Sequence, residues 1–195
     1  PCARLKLAGR KYSSSGISEN AGFDRFNENI FKDPEQLRRT RRAAEICAQY
    51  AENLEIGGAK GLLLMGETGL GKTFLMDSIG REAIRRGCSV KKYTAYNLID
   101  AALRAVRRHE AGPELTGAEL LLLDDLGTEP MIPGVTIETL FAAINERQFA
   151  GKATVIATNL TKNELFTQYG ERIFSRLFAS REYAAITLRG KDLRM

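Results

Sequence analysis

No stretch of this chain approaches the roughly 18–20 consecutive apolar residues that cross a bilayer, and no short apolar segment precedes a small-residue cleavage site. The expectation is a cytoplasmic protein with no membrane partner. Cysteine is scarce and odd in number. Cys2, Cys47 and Cys88 lack metal-ligand or disulfide spacing, so reduced thiols are expected, with Cys47 and Cys88 packing as small hydrophobes. His109 is the only histidine, and it reads as a helix C-terminal residue rather than a catalyst or ligand. At 195 residues the chain has room for one domain with a full core but not for a second catalytic domain.

What is present is a phosphate-binding string. Gly66, Glu67, Thr68, Gly69, Leu70, Gly71, Lys72 and Thr73 match G-x-x-x-x-G-K-[ST] directly after the apolar run Leu62 to Met65. Glycines let the backbone curl so that successive N–H groups point at phosphates, and the helix that follows adds the positive end of its dipole. These eight residues and the next, Phe74, are the candidate nucleotide-binding set. Lys72 is expected to reach the β- and γ-phosphates of ATP or ADP, and Thr73 to ligate Mg²⁺.

The net charge of +5 is uneven. From Arg81 to Arg108 there are eight cations (Arg81, Arg85, Arg86, Lys91, Lys92, Arg104, Arg107 and Arg108) against two anions, Glu82 and Asp100. Such a block is an electrostatic footprint for nucleic acid, with a solvated helix face as the alternative.

Residues 1–20 are basic and Ser/Gly-rich without periodicity, and they read as a flexible lead-in that carries little core. Asp33-Pro34-Glu35-Gln36 then opens a helix: Asp33 as N-cap, Pro34 at the first helical position and Gln36 closing a capping box, with Gly57-Gly58 as its stop. From Gly61 onward, strands alternate with helices. Strands are expected at 61–66, 88–94, 119–124, 153–158 and 183–188, and helices at 71–86, 95–109, 135–149, 161–169 and 170–180. That alternation means βαβ units and a mostly parallel α/β sheet covered on both faces. The runs Leu120 to Leu123 and Ala153 to Ala157 are continuously apolar, as central parallel strands should be.

The first of these runs ends in Asp124-Asp125 at the sheet's C-terminal edge, where ligands of open α/β sheets bind. Asp124 is the expected Mg²⁺ partner, and Asp125 is placed to orient or deprotonate an attacking water. Asn159 ends the next strand and can hydrogen-bond that water or the γ-phosphate; a turn or cap is its structural alternative. Arg172 and Arg176 fall four apart on one face of a helix, with Ile173, Phe174 and Leu177 on the other. They fit either a surface ion pair or a cation offered to a neighbouring subunit's phosphate.

This order of elements resembles an AAA+ ATPase. Four strings resemble the DnaC/DnaI-type bacterial helicase loaders and their IstB-like ATP-binding relatives: Gly66 to Thr73, Leu121 to Glu129, Ile156 to Leu160 and Tyr169 to Leu177. The resemblance runs from about Phe23 to the C-terminus. It implies a P-loop NTPase (AAA+, RecA-like) fold, a three-layer α-β-α sandwich with a five-stranded parallel sheet and a lid minimal or absent. It divides the chain into a lead-in over 1–20, the remnant of a removed N-terminal module with Cys2 left from its cysteines, and an ATPase domain over 21–195. Within that domain an aromatic box and helix occupy 21–57, and the P-loop core occupies 58–195.

The resemblance also implies roles. Asn159 becomes a γ-phosphate sensor, Arg176 the arginine finger acting in trans, Arg172 its partner, and Arg194 a sensor of the γ-phosphate in cis. Phe23, Phe26 and Phe31 help frame the base, with core packing as the alternative. Arg104, Arg107 and Arg108, one helical face near Tyr93 and Tyr96, track single-stranded DNA. The implied function is an ATP-hydrolysing helicase loader in DNA replication that oligomerises with ATP at subunit interfaces. Its partners are copies of itself, single-stranded DNA and a replicative helicase contacted through the missing module. The alternatives are an IstB-like transposition helper serving a transposase and, from another class, a small-molecule P-loop kinase.

Overall fold

The computed structural model describes residues 15–54, 61–179 and 182–194. Cys2, most of the expected lead-in and the Gly57-Gly58 stop lie outside the described residues. Two 3-10 turns, Phe23–Arg25 and Glu28–Ile30, precede helix α1 (Pro34–Glu52). Then come β1 (Gly61–Met65), α2 (Lys72–Arg85), β2 (Val90–Thr94), α3 (Ala95–Arg108) and β3 (Leu120–Leu126). The chain continues through α4 (Thr136–Phe149), β4 (Ala153–Thr158), α5 (Lys162–Phe178) and β5 (Tyr183–Thr187).

The five strands form one parallel sheet in the order β2-β3-β4-β1-β5. Alternate side chains of the central strands leave on opposite faces, so each face acquires its own core. Leu62, Leu64, Leu120, Leu122 and Val155 pack with α1 and α2. Leu63, Met65, Leu123 and Ile156 pack with α3, α4 and α5. That is the expected three-layer sandwich, and it brings the C-terminal ends of β1, β3 and β4 together along one edge of the sheet.

Two local expectations are corrected and a third holds. Residues 15–20 do carry core: Ser15 and Ile17 are buried, the Ser15 carbonyl accepts from Lys92 N–H at 2.9 Å, and Ile17 lies against Gly80 of α2. Asp33 caps α1, its side chain accepting from Glu35 N–H at 2.9 Å, but Gln36 closes no capping box. Its amide instead pairs with the backbone of Lys191, donating at 2.8 Å and accepting at 3.0 Å, because satisfying a distant segment while buried outweighs a local cap. The two helices expected over 161–169 and 170–180 are borne out: the helical segment α5 breaks at Gly170, whose φ of 74° and ψ of 175° are not helical and are open to glycine, and its first half begins with a capping box between Thr161 and Glu164.

A buried arginine ties the far edge of the sheet together. Arg147 of α4 is fully buried, and burial lowers its pKa to about 10. It donates to Thr154 Oγ1 and to the carbonyls of Leu115, Ala118, Glu119 and Ala153, five acceptors for the five donors of a guanidinium.

Candidate nucleotide site

The loop between β1 and α2 turns at Gly69 (φ 79°), where a Cβ would collide with the Asp192 carboxylate, and closes at Gly71, the N-cap of α2. Only glycine fits at position 69. Lys72, the first residue of α2, reaches back along the loop to donate to the carbonyls of Gly66 and Glu67, each at 2.7 Å. Burial lowers its pKa while the charges of Asp125 and Asp124 raise it, and burial prevails. Thr73, next on the helix, donates to Asp124 Oδ1 at 3.2 Å, so the hydroxyl and the buried carboxylate that ends the apolar part of β3 are side by side. An alcohol and a carboxylate are hard oxygen donors, and with phosphate oxygens and water they are the set a magnesium ion takes. The residues present therefore fit Mg²⁺.

Asp125 sits in a bulge. Register between β3 and β4 shifts from Leu123 opposite Ile156 to Leu126 opposite Thr158, and Asp125 takes a left-handed φ of 54°. A bulge of this kind re-aims side chains beside a site. The Asp125 N–H donates to Asp124 Oδ1 at 3.1 Å, and its carboxyl lines the same cleft as the loop. Burial and the neighbouring Asp124 charge raise its pKa, which suits a group that takes up a proton.

The cleft has a volume of about 600 Å³, in the range of small-molecule sites. Thr68 to Leu75 form its floor, Asp125 and Asn159 one wall, and Phe26, Ile30 and Phe31 another. Phe26 stands 5.6 Å from Phe31 and 6.4 Å from Phe74 between ring centroids, an aromatic cluster beside the loop with the rings tilted by 34° and 47°. Phe23 is not part of the lining; it packs against the core of α1 and α2. Leu193 and Arg194 close the cleft, with Leu193 N–H donating to Gly69 O at 3.0 Å. The Arg194 guanidinium grips both oxygens of Asp192 at 3.0 and 2.6 Å, which holds the Asp192 carboxyl down at about 2.

The family profile described as IstB-like ATP binding protein matches residues 48–178, more than half of the chain. The chain belongs to this IstB-like family of ATP-binding proteins. It is 25% identical over 178 residues to the replicative helicase loader DnaC of Escherichia coli K12, covering 86% of this chain and 68% of that protein. Over 122 residues it is 31% identical to the ATP-binding protein of insertion sequence IS5376 from Geobacillus stearothermophilus, covering 61% of this chain and 46% of that protein. In fold it is similar to domain III of the Thermotoga maritima replication initiation protein DnaA, with a TM-score of 0.74 and 21% identity over 90% of this chain and 69% of that one. The chain spans about half the length, or less, of several of the curated relatives it matches. An AAA+ P-loop fold in an ATP-binding family is thus established.

In this IstB-like protein, not every candidate residue gathers at the cleft. Arg172 and Arg176 are not part of its lining. They stand on α5 against the Phe141 ring, the guanidinium carbons 3.6 and 5.9 Å from its centroid, while Ile173 and Leu177 are buried behind them. The basic block is no single patch. Arg85 and Arg86 pair with Glu82, Arg81 donates to Ala21 O at 2.5 Å, and Lys92 is turned inward. Arg104 pairs with Asp100 at 2.6 Å, and Arg107 and Arg108 lie beside it, exposed on α3. His109 is the left-handed C-cap of that helix, as its position suggested. No described helix is long and apolar enough to cross a membrane.

Sequence reasoning gave no role to Glu129 and Tyr169, which join two of the family strings. The Tyr169 hydroxyl donates to the buried Glu129 carboxylate, whose other oxygen accepts from Gly127 N–H at 2.9 Å. The loop after Asp125 is thereby tied to the residue before the Gly170 kink. An acid within the string Gly127-Thr128-Glu129 was the one clue in the sequence.

Proposed function

We propose that this chain is the ATPase part of a bacterial helicase loader, which hydrolyses ATP at interfaces between subunits assembled on single-stranded DNA. The observation that carries the reading is where Arg172 and Arg176 stand relative to the cleft. Phosphate cradle, Thr73, Asp125 and Asn159 all line one cavity, while Arg172 and Arg176 are not part of that lining and stand on another helix. A cation so placed serves a neighbouring copy's phosphate rather than its own.

In this mechanism Lys72 exchanges the Gly66 and Glu67 carbonyls for phosphate oxygens, and the backbone N–H groups of Gly69 to Thr73 hold the rest of the chain of phosphates. Thr73 and Asp124 would hold Mg²⁺, which neutralises charge on the β- and γ-phosphates when bound. Asp125 accepts a proton from the attacking water, and Asn159 orients it. Arg176 of the next subunit stabilises the charge that develops on the transferred phosphoryl group. Arg194 has to leave Asp192 to reach the γ-phosphate. Arg104, Arg107 and Arg108 contact DNA phosphates, and hydrolysis resets the assembly.

A second reading is supported by the family profile and by the insertion-sequence relative: a transposition helper whose partner is a transposase. A pull-down of the intact protein against the replicative helicase and the transposase of its host, with ATP and with ADP, separates the two. ATP-dependent retention of the helicase is the expected outcome. Retention of the transposase instead turns the assignment to the helper, and retention of neither overturns both.

A further inference from the structure

Lys92 is the third residue of β2, opposite Leu122 of β3, on the sheet face that α2 covers. A lysine on an edge strand ordinarily runs out to water along its own stem. This one does not: its side chain is only 12% exposed, and its ammonium lies 2.7 Å from Asp77 Oδ1 and 3.2 Å from Asp124 Oδ2. Asp77 is on α2, one turn after Thr73, and is itself buried; its second oxygen accepts from Ser18 N–H at 3.2 Å. The second oxygen of Asp124 accepts from the Thr73 hydroxyl and from Asp125 N–H. Every oxygen of the two buried carboxylates thus has a donor, supplied from four separate parts of the chain.

The arrangement divides the work of the Asp124 carboxylate. Oδ2 is committed to Lys92, which fixes the plane of the group and leaves Oδ1 turned towards Thr73, the side on which a metal would be shared. Charge alone would make an ammonium so near a metal site unfavourable, since like charges close together in a poorly solvated place repel. Asp77 removes that objection. Paired with Lys92 it makes a net neutral unit, so what is left at the site is orientation rather than repulsion.

We propose that Lys92 is a positioning residue for the magnesium–nucleotide site, holding Asp124 in its ligating orientation with Asp77 as the counter-charge that makes a buried lysine tolerable there. The proposal rests on the nucleotide-site reading above. It adds a residue from the edge strand β2 to a site otherwise assembled from β1, α2, β3 and β4.

The test is the affinity for ADP with and without Mg²⁺, by calorimetric titration of the full chain. Lys92→Met alone changes the net charge of the site, so the informative variant is Lys92→Met combined with Asp77→Asn. That variant keeps the charge balance, and the new amide oxygen can still accept from Ser18. Replacing a buried pair by neutral side chains of similar volume is often tolerated, and a melting curve checks that the variant is folded. Metal-free affinity should stay near wild type, while the gain in affinity on adding Mg²⁺ should shrink at least about tenfold, a loss of about 1.4 kcal/mol. Lys92→Arg should keep most of the gain. A double variant with the full gain overturns the proposal and leaves Lys92 as a partner for Asp77 only. If the wild-type chain itself gains nothing from Mg²⁺, the nucleotide-site reading fails first.

Discussion

Lys72 and Cys47 are both buried side chains with shifted acidities, and they show how differently burial is used. Lys72 has burial lowering its pKa against the charges of Asp125 and Asp124, with two carbonyls of its own loop as acceptors. Lys72→Ala should leave the fold intact, because the carbonyls of Gly66 and Glu67 belong to a solvated loop. It should lower affinity for ATP by about a hundredfold or more, the loss of two charge-assisted hydrogen bonds. Fluorescent-nucleotide titration measures this directly, and unchanged affinity would remove the loop from the site. Cys47 serves packing alone. It is fully buried in the core, and burial pushes its thiol from 9.0 up to about 12. Its folded pKa lies above its unfolded one, so its contribution to stability is complete below pH 9 and is lost as pH rises towards 12. Iodoacetamide at pH 8 should therefore modify Cys47 only in denaturant, with peptide mass mapping as the readout. Rapid labelling of the native protein would contradict the burial.

At the scale of elements, α4 is held to the sheet by Arg147. Its five hydrogen bonds reach β4 and the segment leading into β3, so one side chain closes a loop that backbone pairing leaves open. Arg147→Lys keeps the charge but cannot reproduce the planar fork, and several buried carbonyls lose their donor. A cost of about 3 kcal/mol or more is expected, each unsatisfied buried acceptor being worth about 1–3 kcal/mol. Urea denaturation would show it as a lower midpoint with an unchanged slope.

The order of strands and helices was legible in the sequence because apolar period, glycines and caps are local properties, and the Gly66 to Thr73 and Asp124-Asp125 elements were legible because their chemistry needs fixed spacings. Arg147 and Lys92 were not. In sequence each sits among polar neighbours and reads as a surface cation, and only the packing of elements far apart in the chain turns it inward. Gln36 fails for the same reason, since its partner lies 155 residues away.

At the scale of the whole molecule, the question is what the positive charge faces. Of the basic block, Arg104, Arg107 and Arg108 are exposed on one surface of α3, Arg104 paired with Asp100, while Arg85 and Arg86 pair with Glu82 and Lys92 is turned inward. If α3 tracks DNA, reversing these three charges should weaken binding to single-stranded oligonucleotides. It should also flatten the dependence of log affinity on log salt by about 0.7 for each phosphate that the protein no longer neutralises. Fluorescence anisotropy across a salt series checks it, and an unchanged slope returns α3 to a solvated face.

Assembly is the larger claim, and it can be tested by complementation. An arginine supplied in trans is worth about 10³–10⁵ in rate, so Arg176→Ala should bind ATP nearly as well as the wild type yet lose almost all hydrolysis. Lys72→Ala should lose hydrolysis for the opposite reason, with its finger intact and its own loop disabled. Neither variant can act alone if each site spans two subunits. Mixed in equal amounts they form head-to-tail contacts in which a loop from the Arg176→Ala subunit meets a finger from the Lys72→Ala subunit. Random assembly makes about a quarter of the interfaces of that kind. Phosphate release from the mixture, absent from either variant separately, is the expected result. Hydrolysis by Arg176→Ala alone, or a silent mixture of variants shown by light scattering to co-assemble, would place the finger elsewhere. The position of Arg172 and Arg176 against Phe141, outside the cleft that holds the loop, is what makes two inactive chains expected to yield one active interface.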